Sequence, residues 1–289
     1  MFSGSIVALV TPFRNGAFDR QDYAKLIEYQ IANGTSGIVP VGTTGESSTL
    51  SHEEHQEVIR ACIEIVNGRV PVIAGAGSNS TAEAIDLTQA AKELGATATL
   101  HITPYYNKPT QEGLYRHYKA IVEAVDLPLI VYDCPGRTGV TVLPETVARL
   151  AELRNIVAIK DAVGNLDHTS AIRSLCDLPI LSGNDSLNLP IIAVGGAGAI
   201  SVLANIAPRA SADLVGAALK GDFATAEKLH RKYFGLNRAL FIESNPIPVK
   251  AACEMMGMIS AEIRPPLYPM SEKNKAILQA EMQKVGLLD

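Results

Sequence analysis

The sequence of 289 residues predicts an α/β fold: a closed parallel (β/α)8 barrel of the TIM type over residues 1–222, followed by a small C-terminal helical domain over residues 223–289. Three observations predict it. Eight short apolar runs rich in β-branched residues recur, and their starts lie roughly 20–33 residues apart, the span of a strand plus a crossover helix. Stretches with charged helical faces separate these runs. The runs are continuously apolar, which is typical of strands covered on both faces.

The predicted strands alternate with predicted helices along the barrel. The strands are, in chain order, 5–10, 37–41, 70–75, 98–103, 128–133, 156–161, 179–183 and 198–202. The helices between them are 22–32, 53–66, 82–94, 112–124, 144–151 and 168–176. An open doubly wound sheet is the competing fold, but the phosphate-binding pattern GxGxxG does not follow the first strand. After residue 222 the strand pattern stops, and helices broken by Asn245-Pro-Ile-Pro248 and Pro265-Pro266 follow.

The composition argues against several classes of protein. The net charge of -5 is mixed along the chain, so the basic stripe that nucleic acid requires is missing. The longest apolar run near the start, 6–10, is too short to cross a membrane, and no basic segment precedes it. We therefore expect neither a membrane span nor a signal peptide. The four cysteines are far apart and form no CxxC pair, which indicates reduced thiols and a cytoplasmic protein.

The sixth predicted strand, IVAIKD, carries a lysine near its end, Lys160. Barrel active sites are built from residues at the C-terminal ends of the strands. If Lys160 points into the barrel, loss of solvent lowers the pKa of its amine. A neutral amine can attack a carbonyl carbon and form a Schiff base. The alternative is a structural lysine that reaches solvent or pairs with Asp161.

Two side chains, one at the end of the fifth strand and one just after it, fit the same chemistry. Tyr132 has the same inward parity as Lys160 if the two strands are in register, so its phenol can transfer protons at the amine. Arg137 follows in a Pro/Gly turn, where a guanidinium can bind a carboxylate through two hydrogen bonds. The alternatives are a tyrosine of the core and an arginine of the surface.

The loop after the second strand, Gly42-Thr-Thr-Gly45, offers exposed backbone N–H groups and the Thr43 hydroxyl to an anion. The alternative is an ordinary turn before a helix, with Ser47 or Ser51 as the N-cap. A strand-end lysine, a tyrosine, an arginine and an anion-binding loop together favour an imine-forming enzyme that acts on a small keto acid.

The segments GTTGES, TPYYNKP, YDCPGRTG and IKDA-x-GN, with NPIPVK near the C-terminus, occur in an order and at spacings that resemble the dihydrodipicolinate synthase family. The resemblance covers nearly the whole chain, from GSIVALVTPF to the end. The chain is also similar to the wider superfamily of pyruvate-dependent class I aldolases, which includes N-acetylneuraminate lyase. The resemblance implies condensation of pyruvate with L-aspartate 4-semialdehyde, on the route to diaminopimelate and lysine, with no cofactor.

The resemblance also implies roles for individual residues and an assembly. The implied catalytic residues are Lys160, Tyr132, Thr43 and Tyr106. The implied substrate-binding residues are Thr44, Arg137 and Ile200. In this scheme the lysine forms an imine with pyruvate, and the threonine and the two tyrosines relay protons, with Tyr106 coming from a neighbouring subunit. Backbone groups at Thr43 and Thr44 hold the pyruvate carboxylate, and Ile200 lines the pyruvate pocket. Members of the family are commonly homotetramers built as a dimer of dimers.

Arg137 bears on the choice of substrate within the superfamily. A cationic side chain suits a short second substrate that ends in a carboxylate, whereas sugar-acid aldolases typically lack this arginine and use hydroxyl contacts. We therefore place the synthase ahead of a sugar-acid aldolase. A third reading is a lysine-sensing relative with weakened catalysis, against which the intact catalytic set argues.

A second set of positions matches those that bind lysine, the end product, in feedback-regulated members of the family. These are Ser47, Ser48, His52, His55, Asn79, Glu83 and Tyr105. We therefore expect inhibition by lysine, with Glu83 meeting the α-ammonium group; the alternative is a polar interface without an effector. The spacing of His52 and His55 is HxxH, not the HExxH of zinc enzymes, and no third ligand is evident, so no metal is expected.

Three positions depart from the family pattern. Asp133 stands where Asn is usual, Asp161 where Glu is frequent, and Val163 where Thr is common. By strand alternation, Asp133 and Asp161 point away from the barrel axis on adjacent strands, so one of them is expected to keep its proton at neutral pH. An ionised aspartate near Lys160 is also expected to raise the pKa of the amine and oppose its activation.

Overall fold

A computed structural model describes residues 2–289, and eight parallel strands form its centre. The strands, named β1 to β8, are Gly4–Ala8, Gly37–Val39, Ile73–Gly75, Ala98–Ile102, Leu129–Asp133, Ile156–Asp161, Ile180–Ser182 and Gly198–Ser201. Their hydrogen-bonded order is β2-β1-β8-β7-β6-β5-β4-β3. A parallel bridge between Ile38 and Val72 joins β2 to the start of β3, so the sheet closes on itself. The predicted (β/α)8 barrel is thereby confirmed.

Helices surround the barrel and continue beyond it. Named α1 to α12, they are Arg20–Ala32, His52–Val66, Thr81–Leu94, Gln111–Ala124, Pro135–Thr138, Pro144–Ala151, Leu166–Leu175, Asn188–Ala193, Pro208–Leu219, Phe223–Ala239, Ile247–Met255 and Glu272–Val285. All six predicted helices are present, within two residues at each end. The last three helices fall in the segment 223–289 that we assign to the helical appendage. None of the helices in residues 2–289 is long and apolar enough to cross a membrane.

The sequence reading missed α8 and α9, and it extended some strands too far. Helix α9 carries few charges, so it lacks the charged face on which the other helices were recognised. Helix α8 has only six residues and contains Pro190. The first strand was predicted to residue 10 but ends at Ala8. Val10 is buried, yet its N–H donates to Asn205 Oδ1 at 3.0 Å instead of a neighbouring strand.

The strands read as continuously apolar because both of their faces are buried. Side chains that point inward form one cluster inside the barrel, and those that point outward pack under the helices. The register of β5 and β6 pairs Tyr132 with Lys160 and Asp133 with Asp161. Tyr132 and Lys160 therefore share the inward face, and the two aspartates share the outward face, as the sequence predicted.

Candidate active site

One cavity of about 480 Å³ opens at the C-terminal ends of the strands. Five predicted residues line it: Lys160, Tyr132, Thr43, Thr44 and Arg137. The segment Phe241–Asn245, which connects α10 to α11, covers another side of the cavity. The cavity therefore combines strand ends of the barrel with a segment of the C-terminal appendage.

Lys160 lies almost wholly out of solvent, with 6% of the residue exposed. Its Nζ is 4.0 Å from the centroid of the Tyr132 ring, and within residues 2–289 it forms no ion pair with a carboxylate. Burial lowers the pKa of this amine to about 8; the Arg137 charge acts in the same direction, while Cys134 and Asp185 oppose it. Gly183 leaves room beside it, because a Cβ there would lie 2.7 Å from Ala162 Cβ and 3.0 Å from Lys160 Cε. The arrangement produces an amine that is partly neutral near physiological pH.

Tyr132 places its phenol in the same cavity. Burial raises the pKa of this phenol, and Cys134 adds to the effect, whereas Arg137 and a hydrogen bond with Thr43 lower it. The phenol therefore stays protonated and is available to give and accept a proton beside Lys160.

The loop Gly42–Gly45, predicted to bind an anion, forms a turn with two backbone donors left unpaired in the described part of the chain. Gly45 N–H donates to the Gly42 carbonyl at 3.0 Å, while the N–H groups of Thr43 and Thr44 have no partner within residues 2–289. Those two free donors face a cavity that both residues line. Ser51 is the N-cap of α2, with its hydroxyl accepting from Glu54 N–H, so the cap lies outside this loop.

A buried ion pair, Glu46 with Lys250, anchors the end of this loop, and the sequence analysis did not predict it. Glu46 has a left-handed backbone (φ 54°) and is 2% exposed, and its Oε1 accepts from Lys250 Nζ at 2.5 Å. Lys250 is fully buried and comes from α11, which lies in the appendage. Arg264 N–H donates to the other oxygen, Oε2, at 3.1 Å. The appendage thus fixes the turn that presents Thr43 and Thr44.

Asn245 was also missed as a site residue. Its Nδ2 donates to Thr44 Oγ1 at 2.9 Å, and its carbonyl accepts from Arg137 at 2.9 Å. It therefore orients the anion-binding loop and the guanidinium together. NPIPVK marked the segment in the sequence, but only as part of the family pattern and as a helix break.

Two of the predicted residues do not line the cavity of this chain. Ile200 is buried in the barrel interior, where it pairs in register with Ile6. Tyr106 is 92% exposed and has a left-handed backbone (φ 73°) on the segment between β4 and α4.

The positions predicted to bind lysine lie on α2, on α3, and on the segments before α2, before α3 and after β4. His52 Nε2 lies 3.0 Å from Glu83 Oε1, and Asn79 Nδ2 donates to the Tyr105 carbonyl at 3.1 Å. His55 is 6% exposed, and burial lowers its pKa to about 4. A small cavity of about 40 Å³ is lined by two of these positions, Ser47 and His55, together with Thr43 and Tyr132. No group of three or more potential metal ligands is present within residues 2–289.

The pKa values of Asp133 and Asp161, which lie behind the site, are shifted in opposite directions. Burial raises the pKa of Asp133 to about 7, and the Asp161 charge adds to this. Burial also disfavours ionised Asp161, but hydrogen bonds from His168, Thr169 and Val163 N–H lower its pKa below the usual value. The raised pKa of Asp133 agrees with the expectation that one of the two aspartates keeps its proton at neutral pH. The expected effect on Lys160 is absent, because neither aspartate is among the groups that raise the pKa of the amine.

The chain was compared with known proteins. Residues 1–285 match the model of the Dihydrodipicolinate synthetase family. A 4-hydroxy-tetrahydrodipicolinate synthase of Geobacter sulfurreducens is 59% identical, with 100% of both chains covered.

Among solved structures, a chloride-inhibited dihydrodipicolinate synthase from Acinetobacter baumannii, in complex with pyruvate, superimposes with a TM-score of 0.98 at 50% identity and full coverage of both chains. A synthase from Cyanidioschyzon merolae with lysine bound gives a TM-score of 0.96 at 39% identity, with 99% of each chain covered. The match of family model, sequence and structure extends over nearly the entire chain. This chain belongs to the dihydrodipicolinate synthetase family.

Proposed function

We propose that this protein is a 4-hydroxy-tetrahydrodipicolinate synthase that condenses pyruvate with L-aspartate 4-semialdehyde through a Schiff base on Lys160. The observation that carries the proposal is the buried Lys160 amine, whose pKa is lowered to about 8 in a cavity with Tyr132, Thr43 and Arg137. The names of the relatives, which are synthases and not sugar-acid aldolases, support the choice of reaction.

In the first step the neutral amine attacks the C2 carbonyl of pyruvate. The free N–H groups of Thr43 and Thr44 hold the pyruvate carboxylate and set the carbonyl before Nζ. The carbonyl oxygen takes up protons and leaves as water, and the C2–Nζ imine remains. Tyr132, next to the amine and linked to Thr43, moves these protons.

In the second step the imine loses a proton from C3 and becomes an enamine. The enamine carbon attacks the aldehyde of the semialdehyde, and the new alkoxide takes a proton from the relay. The carboxylate of the second substrate pairs with Arg137, whose guanidinium Asn245 holds at the cavity. Attack of the substrate amino group on C2 then closes the ring and releases Lys160.

Borohydride reduction in the presence of pyruvate tests this proposal. We expect mass spectrometry of peptides to find a reduced pyruvate adduct on Lys160, and we expect aspartate semialdehyde to be consumed by the unreduced enzyme. A folded protein without an adduct on Lys160 would contradict every imine mechanism. An adduct without consumption of the semialdehyde, but with cleavage of N-acetylneuraminate, would point to a sugar-acid aldolase.

We also propose that L-lysine binds at the group around His52 and Glu83. The Glu83 carboxylate, 38% exposed at its side chain, suits an ammonium group, and the neighbouring backbone and amides supply further polar contacts. The lysine-bound relative supports lysine as the effector, and the location rests on the residues named here. Calorimetry with L-lysine is expected to give saturable heat that the Glu83→Gln variant loses, while pyruvate still forms its adduct. Unchanged affinity in that variant would refute the location.

We propose a homotetramer in which Tyr106 of one subunit completes the site of another. Tyr106 is 92% exposed and has a left-handed backbone, and both features are unfavourable in an isolated chain. A contact with another subunit accounts for them. Mixing two inactive variants tests this: Tyr106→Phe retains Lys160, and Lys160→Ala retains Tyr106. Activity that reappears when subunits are exchanged supports completion in trans. No activity in proven mixed oligomers would contradict it, and sedimentation gives the number of subunits.

A further inference from the structure

A buried polar network lies directly behind the two catalytic strand ends. Asp133 and Asp161 follow Tyr132 and Lys160 in the chain and face outward, where they are 0% and 1% exposed. Oδ2 of Asp133 accepts from Val142 N–H at 2.9 Å, and Oδ1 of Asp133 has no partner within residues 2–289. Buried polar groups are costly unless they are hydrogen-bonded, so the unpartnered Oδ1 makes Asp133 a costly group to bury.

His168, from α7, connects the two aspartates through the backbone of a single residue, Val142. Its Nε2 lies 3.0 Å from the Val142 carbonyl, so this nitrogen carries the proton and donates it. Its Nδ1 lies 3.4 Å from Asp161 Oδ2, which also accepts from Thr169 Oγ1 at 2.7 Å. The chain of contacts runs from Asp161 through His168 to the carbonyl of Val142 and from the N–H of Val142 to Asp133.

This chain spans three parts of the active site. It starts at the end of β6, one residue after Lys160, and finishes at the end of β5, one residue after Tyr132. Between them it holds Val142, on the segment that leads from Arg137 in α5 to α6. Neighbouring residues of a strand point to opposite faces and share a backbone. A shift of an outward aspartate therefore also moves the side chain of the inward residue before it, Tyr132 or Lys160.

We propose that His168 is a positioning residue of this enzyme: by bridging Asp161 and the Val142 carbonyl, it sets the relative placement of Lys160, Tyr132 and the segment that carries Arg137. The inference rests on the proposed condensation. Reacting groups must be held within a fraction of an ångström, and distant shifts of about 1 Å can cost about 100-fold in rate.

The charges around His168 agree with this bridging role. The imidazole faces Asp161 from β6 and Asp133 from β5, and the Tyr118 phenol from α4 lies near Asp133. The pKa of His168 is raised: burial alone would lower it, but bonding to Asp161 and the Val142 carbonyl outweighs burial. An imidazolium can donate from both ring nitrogens, which the two acceptors require.

Two variants of His168 and one control test the proposal. His168→Ala removes both contacts, whereas a glutamine at this position can still donate to the Val142 carbonyl. We expect His168→Ala to lower the rate of imine formation with pyruvate and kcat by about 10- to 100-fold, and to raise KM for the semialdehyde. We expect His168→Gln to recover most of the lost rate. His117→Ala is the control, because His117 is 5% exposed and its hydrogen bond goes to Thr81, at 2.9 Å, and not to Asp133, Asp161 or Val142.

Comparing His168→Ala with His117→Ala separates a positioning role of His168 from a contribution to stability alone. Both alanine variants are expected to lower Tm, but only His168→Ala should slow the imine step in the folded protein. Equal rates for His168→Ala, His117→Ala and the parent enzyme would overturn the proposal. Absence of the imine in the parent enzyme would instead refute the proposed function, on which the role of His168 depends.

Discussion

Replacing Lys160 by methionine should make the protein more stable while abolishing imine formation. Burial lowers the pKa of this amine from 10.5 to about 8, so the folded state binds its proton more weakly than the unfolded chain. The difference of about 2.5 units, at about 1.4 kcal/mol per unit, corresponds to about 3 kcal/mol of destabilisation at neutral pH. Methionine removes the charge with little change in volume.

The pH dependence of this stabilisation follows from the same shift. Because the pKa of Lys160 is lower in the folded state, the unfolded chain binds more protons between about pH 8 and pH 10.5. The cost of the lysine is therefore complete below pH 8 and fades as the pH rises through this window. The gain from Lys160→Met should be about 3 kcal/mol at pH 7 and about 1 kcal/mol at pH 10.

Thermal unfolding at fixed protein concentration measures the effect. For a chain of this length an entropy of about 2.1 cal/mol/K per residue converts about 3 kcal/mol into a rise in Tm of about 5 °C. The oligomeric state must be the same for both proteins, because association also shifts Tm. A Tm at pH 7 that is equal to or below that of the parent would refute the argument. A gain that does not change with pH would show that packing, and not ionisation, is responsible.

Lys250→Met is the matched control. Lys250 is also buried and its pKa is also lowered by burial, but its Nζ pairs with Glu46 at 2.5 Å. Removing it leaves the buried Glu46 carboxylate without its counter-ion, which costs about 3–5 kcal/mol. The same substitution at two buried lysines should therefore change Tm in opposite directions.

Three further predictions address reactivity and substrate binding. The rate of imine formation should rise about tenfold per pH unit and level off near pH 8, since the neutral Lys160 amine is the nucleophile; a flat stopped-flow profile from pH 6 to 9 would contradict this. Iodoacetamide should alkylate Cys134 and Cys176, both half-buried, with pyruvate protecting only Cys134, which lines the cavity; equal protection in peptide maps would exclude this placement. Arg137→Ala should raise KM for the semialdehyde at least tenfold and leave the pyruvate adduct intact; loss of the adduct would assign the arginine another role.

The sequence alone predicted those features of the site that depend on the alternation of side chains along a strand. Strand alternation placed Lys160 and Tyr132 on one face on the condition that the two strands are in register, and the pairing of Tyr132 with Lys160 meets that condition. The same rule placed Asp133 and Asp161 on the outer face. The prediction that these aspartates raise the pKa of Lys160 was wrong. Strand alternation tells which way a side chain points, but not how far it lies from the amine or which hydrogen bonds it makes.

The contacts that the sequence did not predict join residues far apart in the chain. Asn245 is 201 residues from Thr44, and Lys250 is 204 residues from Glu46. No local pattern relates such positions, since they meet only after the barrel has closed and the appendage has packed on it. Helix α9 was missed for another reason: its few charges leave no polar face for periodicity to reveal.

The two buried lysines explain why burial alone does not make an amine a nucleophile. Lys250 loses solvent as Lys160 does, but Glu46 compensates its charge and makes it a structural cation. Lys160 has the ring of Tyr132 beside it and no paired carboxylate within residues 2–289, so its amine is partly neutral. The Glu46 pair in turn fixes the turn with Thr43, where the substrate carboxylate is to bind. The fold thus uses one lysine to hold the loop that we propose binds the substrate carboxylate, and leaves the other unpaired in the cavity that this loop lines.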